Sequence, residues 1–230
     1  MLKRFGLLLA TAALASCHTT PDTGLAGGGY RSTDQIVQSL GYDTIALPST
    51  GYGPGSLVTS VKGYGFTEPL RLAYLCRPEY ANAPPAIIDT GATSEASRSF
   101  NGSFNLSVAA IKALGLGAQA SNIESITLKF SDVKVEQLPY ADLKTIQNGL
   151  GPVCAETLKE FKAKGLARQT QQALRADVTY TAHLKRGVSA EVKNLVIQAL
   201  QASFGGSVDK TSDTSVTGTG LYYGLLLTKV

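Results

Sequence analysis

The sequence predicts an α+β domain built on a mainly antiparallel sheet with about four to five helices, and three observations lead there. Stretches alternating apolar and polar residues recur from Tyr42 to the C-terminus. Stretches with helical spacing interrupt them, without the regular strand-helix-strand succession of a parallel sheet. A composition of 43% hydrophobic and 17% charged residues supplies enough apolar side chains for a core and argues against a disordered chain. With no linker and no internal repeat after the first 29 residues, a single domain over residues 30 to 230 is expected.

The elements follow in order. Ser32-Thr33-Asp34-Gln35 has the form of a capping box, Ile36, Val37 and Leu40 share one face behind it, and Gly41 can stop the helix. Four β-rich pieces come next: Tyr42 to Leu47, Leu57 to Lys62, Leu70 to Leu75 and Ala86 to Asp89. Between the first two, Pro48 to Gly55 is a turn region. It lacks the Lys-Ser/Thr ending of a phosphate loop, and Pro54 removes a backbone donor such a loop needs. Ala96 to Val108 alternates, with Phe100, Phe104, Leu106 and Val108 against Ser and Asn, which predicts a long half-buried strand.

Ile123 to Leu138 repeats that pattern, and Ser131-Asp132 in its middle suggests the turn of a hairpin. Tyr140 to Leu150 and Val153 to Lys164 read as two helices broken at Gly151-Pro152, with Leu143, Ile146, Leu158 and Phe161 inward. Ala173 to Leu184 reads as a strand, with Val178, Tyr180 and Ala182 on one face. Ser189 then caps a helix whose stripe is Val192, Leu195, Val196, Ala199 and Leu200, and which Gly205-Gly206 end. The tail from Ser207 to Val230 closes the sheet as a hairpin.

The first residues carry an address. Met1 to Ser16, MLKRFGLLLATAALAS, runs from two cations through an apolar stretch to small residues, the order of an export signal too short to remain a membrane span. Leu14-Ala15-Ser16-Cys17 resembles the lipobox of bacterial lipoproteins. The resemblance implies cleavage after residue 16, acyl chains of palmitate type on Cys17, and, since His18 rather than Asp follows, an outer-membrane lipid anchor facing the periplasm. Residues 17 to 29 then form the lipidated Cys and a flexible Pro, Gly and Thr tether. Removing Lys3 and Arg4 with the signal peptide leaves 19 cations against 17 anions, a net +2 in place of +4, so no nucleic-acid partner is implied.

Two cysteines remain, Cys76 and Cys154. An even pair in a chain sent to an oxidising compartment predicts a disulfide. Neither their spacing nor His183, the one histidine of the domain, resembles a ligand cluster, so no metal and no cofactor are expected.

One motif looks catalytic. Ala86-Ile87-Ile88-Asp89-Thr90-Gly91-Ala92-Thr93 resembles the active-site strand and loop of retropepsin-like aspartic proteases. The resemblance implies a homodimer in which two Asp89 carboxylates face each other and share a proton, with Thr90 bracing the loop and Gly91 allowing its tight turn. Leu106 to Leu116, with Ala-Leu-Gly-Leu near its end, is loosely similar to the segment downstream of that motif in bacterial relatives. The other interpretation makes Asp89 a turn residue that accepts from backbone amides, while Gly91 supplies a positive φ. The sequence thus favours a membrane-anchored, periplasm-facing lipoprotein of the cell envelope, a non-catalytic module that binds an envelope protein, glycan or lipid. The alternative is a homodimeric aspartic protease using Asp89.

Overall fold

The computed structural model describes residues 32–62, 69–76, 83–106, 111, 116–203 and 208–230. The expected signal peptide, Cys17 and the expected tether, together with most of Leu106 to Leu116 and Gly205-Gly206, lie outside the described residues. In chain order the elements are α1 (Thr33–Ser39), β1 (Asp43–Ser49), β2 (Leu57–Lys62), β3 (Arg71–Tyr74), β4 (Ile87–Ile88), α2 (Thr90–Ser99), β5 (Ser103–Asn105) and a 3₁₀ turn (Gly117–Asn122). There follow β6 (Ile123–Gln137), α3 (Tyr140–Asn148), α4 (Pro152–Ala163), β7 (Arg168–Leu184), α5 (Ala190–Ser203), β8 (Val208–Lys210) and β9 (Ser215–Lys229). The architecture is α+β, with one mainly antiparallel sheet. Among the described residues no helix is long and apolar enough to cross a membrane.

Three long strands organise the sheet. β7 lies between β6 and β9, antiparallel to both. Short strands cover their outer edges in halves: β4 and β5 pair with β6, while β1 and β8 pair with β9. At the N-terminal end of β7 the sheet continues through β2 to β3. There the Leu70 amide donates to the Thr44 carbonyl at 2.7 Å and the Ala46 amide to the Leu70 carbonyl at 2.8 Å. The path β1-β9-β7-β2-β3 therefore returns to β1 and closes through the Ile45–Leu70 bridge, which pairs the edges of β1 and β3 there. Ile45, Ala173 and Leu225, with Leu72 and Leu227 packed on them, form a small cluster drawn from four of its five strands.

Local chemistry explains the helices that flank this sheet. Ser32 Oγ accepts from the Gln35 amide and Gln35 returns a bond to the Ser32 amide, completing the capping box of α1. Gly41, at φ +86, ends it where an L side chain would be strained. Pro152 opens α4 at a position whose amide has no helical partner. Ser189 Oγ accepts from the Val192 amide at the start of α5. That helix turns Val196, Ile197 and Leu200 into the core and leaves Leu195 exposed, so its stripe is rotated from the expected one.

The main core fills one face of the upper half of the long strands. Ile36 and Val37 of α1, Ala96 and Phe100 near α2, and the α5 stripe meet Ile126, Leu128, Phe130, Val178 and Leu221 there. Phe100, Phe104, Phe130 and Tyr223 form a connected set of rings with centroids 4.5–6.0 Å apart, an arrangement that contributes beyond area alone. The Tyr180 and Tyr223 hydroxyls bond each other in this interior, so two buried polar groups satisfy each other. Burial pushes both phenols up from their ordinary pKa.

Two sequence expectations fail. Ala96 to Val108 is not one strand: α2 runs to Ser99 and, among the described residues of that stretch, Ser103–Asn105 forms the strand that pairs with β6. Ala96 and Phe100 lie four residues apart and are both buried, so the helical period prevails over an alternation made by small polar residues. Ile123 to Leu138 is not a hairpin either. Asp132, at φ +48, sits in a bulge between Ser131 and Lys134, and one strand continues through it because β7 pairs with both halves.

Candidate functional site

Irregular backbone gathers at one level of the sheet. The bulge at Asp132 in β6 lies beside Arg175 to Asp177 of β7. On the other side of β7, the pairing with β9 shifts between Leu174 and Arg175 and again between Ala176 and Val178. Gly220, inside β9, has φ +62. Bulges re-aim side chains, and here they bring Glu136, Arg175, Asp177 and Tyr222 together from three strands.

These groups hold one another. Arg175 Nη1 donates to Glu136 Oε1 at 2.8 Å, and Tyr222 Oη donates to Glu136 Oε2 at 2.7 Å. Both oxygens of that carboxylate, whose side chain is only 11% exposed, are therefore engaged. The Gly220 amide donates to Asp177 Oδ1 at 2.7 Å, and Lys134 Nζ bonds Asp132 Oδ2 at 2.7 Å. The Glu136 hydrogen bond raises the Arg175 pKa against the opposing effect of burial. Burial, followed by the bond to Glu136, raises that of Tyr222, so the phenol stays a donor. A Cβ on Gly220 would come 2.6 Å from Arg175 Nη2; glycine there gives the guanidinium its seat. Arg175, Asp177, Tyr222, Thr50, Thr219 and Asp132 line a cleft of about 490 Å³.

The cleft opens at one end of a hydroxyl-rich sheet face. Along β7, Asp177, Thr179, Thr181 and His183 alternate with core residues. Thr179 and Thr217 hydroxyls lie 3.0 Å apart, Thr181 and Ser215 3.1 Å, and Thr211 and Thr217 2.9 Å. His183 Nε2 lies 3.1 Å from Thr127 Oγ1 on this face.

The residues singled out in the sequence lie elsewhere. Cys76, just past β3, and Cys154, in α4, form a disulfide with Cα atoms 5.6 Å apart, the usual span of a bridge. It ties α4 to the closed end of the sheet. Asp89 is the N-cap of α2, its Oδ1 accepting from the Ala92 amide at 2.9 Å. Its own amide donates to Val135 O, and Thr93 Oγ1 accepts from the Val135 amide, both at 2.9 Å. Asp89 and Thr93 thus fasten α2 to β6. Thr90 and Gly91 belong to the first turn of that helix. Gly91 is not among the glycines of positive φ, so that expectation is corrected: a helix start needs no left-handed residue.

Sequence reasoning missed the cleft. Its residues are 39 to 86 positions apart in the pairs that bond, and they match no motif. Gly218-Thr219-Gly220 inside an alternating strand was the readable trace, since glycine in a strand often marks a bulge.

No protein-family model and no curated protein matches the chain. Among solved structures, it is similar to a bacterial gasdermin from Bradyrhizobium tropiciagri at 17% identity, over 84% of this chain and 83% of that one, with a TM-score of 0.39.

Proposed function

We propose that the protein is a lipoprotein held by Cys17 at the periplasmic side of the outer membrane, and that its folded domain is a non-catalytic binding module of the cell envelope. The observation that carries this reading is MLKRFGLLLATAALASC at the N-terminus, where charges, apolar length, small residues and cysteine follow in the order of a lipidation signal. The Cys76–Cys154 disulfide suits an exported chain. The binding role is supported by a cleft whose charged groups are fixed before any ligand arrives. The Asp89 carboxylate holds the end of a helix, a role that supports capping over proteolysis.

Fractionation of cells expressing the full chain tests the anchor. Wild type should sediment with outer membranes, and Cys17→Ser should move to the soluble fraction or accumulate with its signal peptide attached. Retention of a fully processed Cys17→Ser protein in the membrane contradicts the reading. An acid-favoured peptidase activity of the wild type, lost in Asp89→Asn, would replace the binding module with the protease.

A further inference from the structure

The cleft around Arg175 combines open volume, fixed charge and backbone irregularity at one level of the sheet. The geometry points to a saccharide-binding site. One sugar unit occupies the cleft between Arg175, Asp177 and Tyr222, and the Thr and Ser rows of β7 and β9 extend the surface for further units of a chain. This rests on the reading of the domain as a binding module and names the chemistry it binds.

Size and charge select the ligand. A volume of about 490 Å³ falls within the roughly 300–1,000 Å³ of small-molecule sites. The guanidinium already faces Glu136 at 2.8 Å, and Asp132 and Asp177 add two carboxylates against the single ammonium of Lys134. An incoming anion therefore meets a net negative surround. A metal ion would have to sit beside a guanidinium. An apolar ligand would desolvate carboxylates and hydroxyls without replacing their hydrogen bonds.

A polyol satisfies what is left. Each sugar hydroxyl both donates and accepts, so it can meet donor-only Arg175, acceptor-only Asp177, the two-way hydroxyls of Thr50 and Thr219, and the Tyr222 oxygen, which can still accept while its proton stays on Glu136. These partners are held in place. Gly220 gives the guanidinium room and positions Asp177 through its amide, so little ordering remains to be done on binding. Beyond the cleft, Thr127, Thr181 and Ser215 lie in one cross-strand row and Lys129, Thr179 and Thr217 in the next. These rows continue the surface in the direction a chain of units leaves the site.

The test titrates the full-length protein, in a detergent without a sugar headgroup, with tetramers of N-acetylglucosamine, glucose and mannose and with inorganic phosphate, reading heat and the amide resonances of Asp177 and Gly220. At least one tetramer should bind at concentrations up to about ten millimolar and shift those amides. Asp177→Asn, whose side-chain oxygen can still accept from Gly220, should weaken that binding about tenfold at an unchanged melting temperature. Thr219→Val, at an exposed cleft position, should weaken it as well and serves if the first variant unfolds. Failure of all three tetramers, binding unmoved by both variants, or phosphate binding tighter than every tetramer overturns the inference. The fractionation of Cys17→Ser decides the anchored-module reading separately.

Discussion

At its N-terminal end β7 places Ala173 between Ile45 and Leu225, inside a path of five strands that closes on itself; at the other end it places Tyr180 and Val178 under three helices and a set of packed rings. The same three long strands thus serve two regions held by different means. The closed end has a small core and gains from satisfied edges and a covalent tie to α4. The open end has no such closure and depends on apolar area, Phe100, Phe104, Phe130 and Tyr223 above all. Where they meet lies the row of bulges carrying Arg175, Glu136 and Tyr222, with Leu174, Ala176 and Leu221 of the main core beside it and Tyr222 packed against the small one; there the strands change partners. A sheet can afford irregular backbone where one packing regime hands over to another, and the cleft occupies that seam.

The largest effect should come from the closed end. Cys76 and Cys154 enclose a loop of 79 residues, with sequence separation 78, and the chain-entropy model gives such a loop up to about 4.5 kcal/mol. Replacing both cysteines by serine should lower the unfolding free energy by an amount approaching that figure in denaturant melts. A change below about 1 kcal/mol would show that strand closure alone holds this end.

Next in size is the open end. Phe130→Ala removes the ring that touches Phe100, Phe104 and Tyr223 and should cost about 3–4 kcal/mol. Amide exchange should accelerate first in β5, β6 and α2, with the β2-β3 pair keeping its protection. Equal acceleration at both ends would break the division into two regions.

A smaller effect separates capping from catalysis at Asp89. Asp89→Ala should cost about 1 kcal/mol, because the Ala92 amide loses its acceptor, whereas Asp89→Asn should be nearly neutral, asparagine being as good an N-cap. A cost for the asparagine variant as large as that for alanine would mean the charge itself is needed at this position.

How much of this was legible depends on sequence range. The α1 capping box, the Gly41 stop, Pro152 at the head of α4 and the alternation of β7 are local signals, and each appears where expected. Asp89 was correctly placed as an acceptor from backbone amides, but the helix it caps was missed, its last residues from Ala96 being read as the start of a strand. Ser and Asn between Ala96 and Phe104 mimic alternation while contributing little apolar signal. Ser131-Asp132 has turn chemistry, yet long-range pairing to β7 carries the chain straight on. The cleft was out of reach. Its members meet through register and bulges between distant strands, which no local pattern encodes.

The central claim is that the seam is maintained for binding, while stability resides in the two ends. Thermal unfolding of Glu136→Gln/Arg175→Met, with and without the tetramer that binds wild type, tests it most directly. Only the Glu136 side of this pair is buried, the Arg175 side chain being 43% exposed, so removing both charges together should cost little. The account predicts a melting temperature close to that of wild type and no stabilisation by the sugar. A melting temperature that falls by several degrees while the sugar still raises it would contradict the claim and make the seam a structural support.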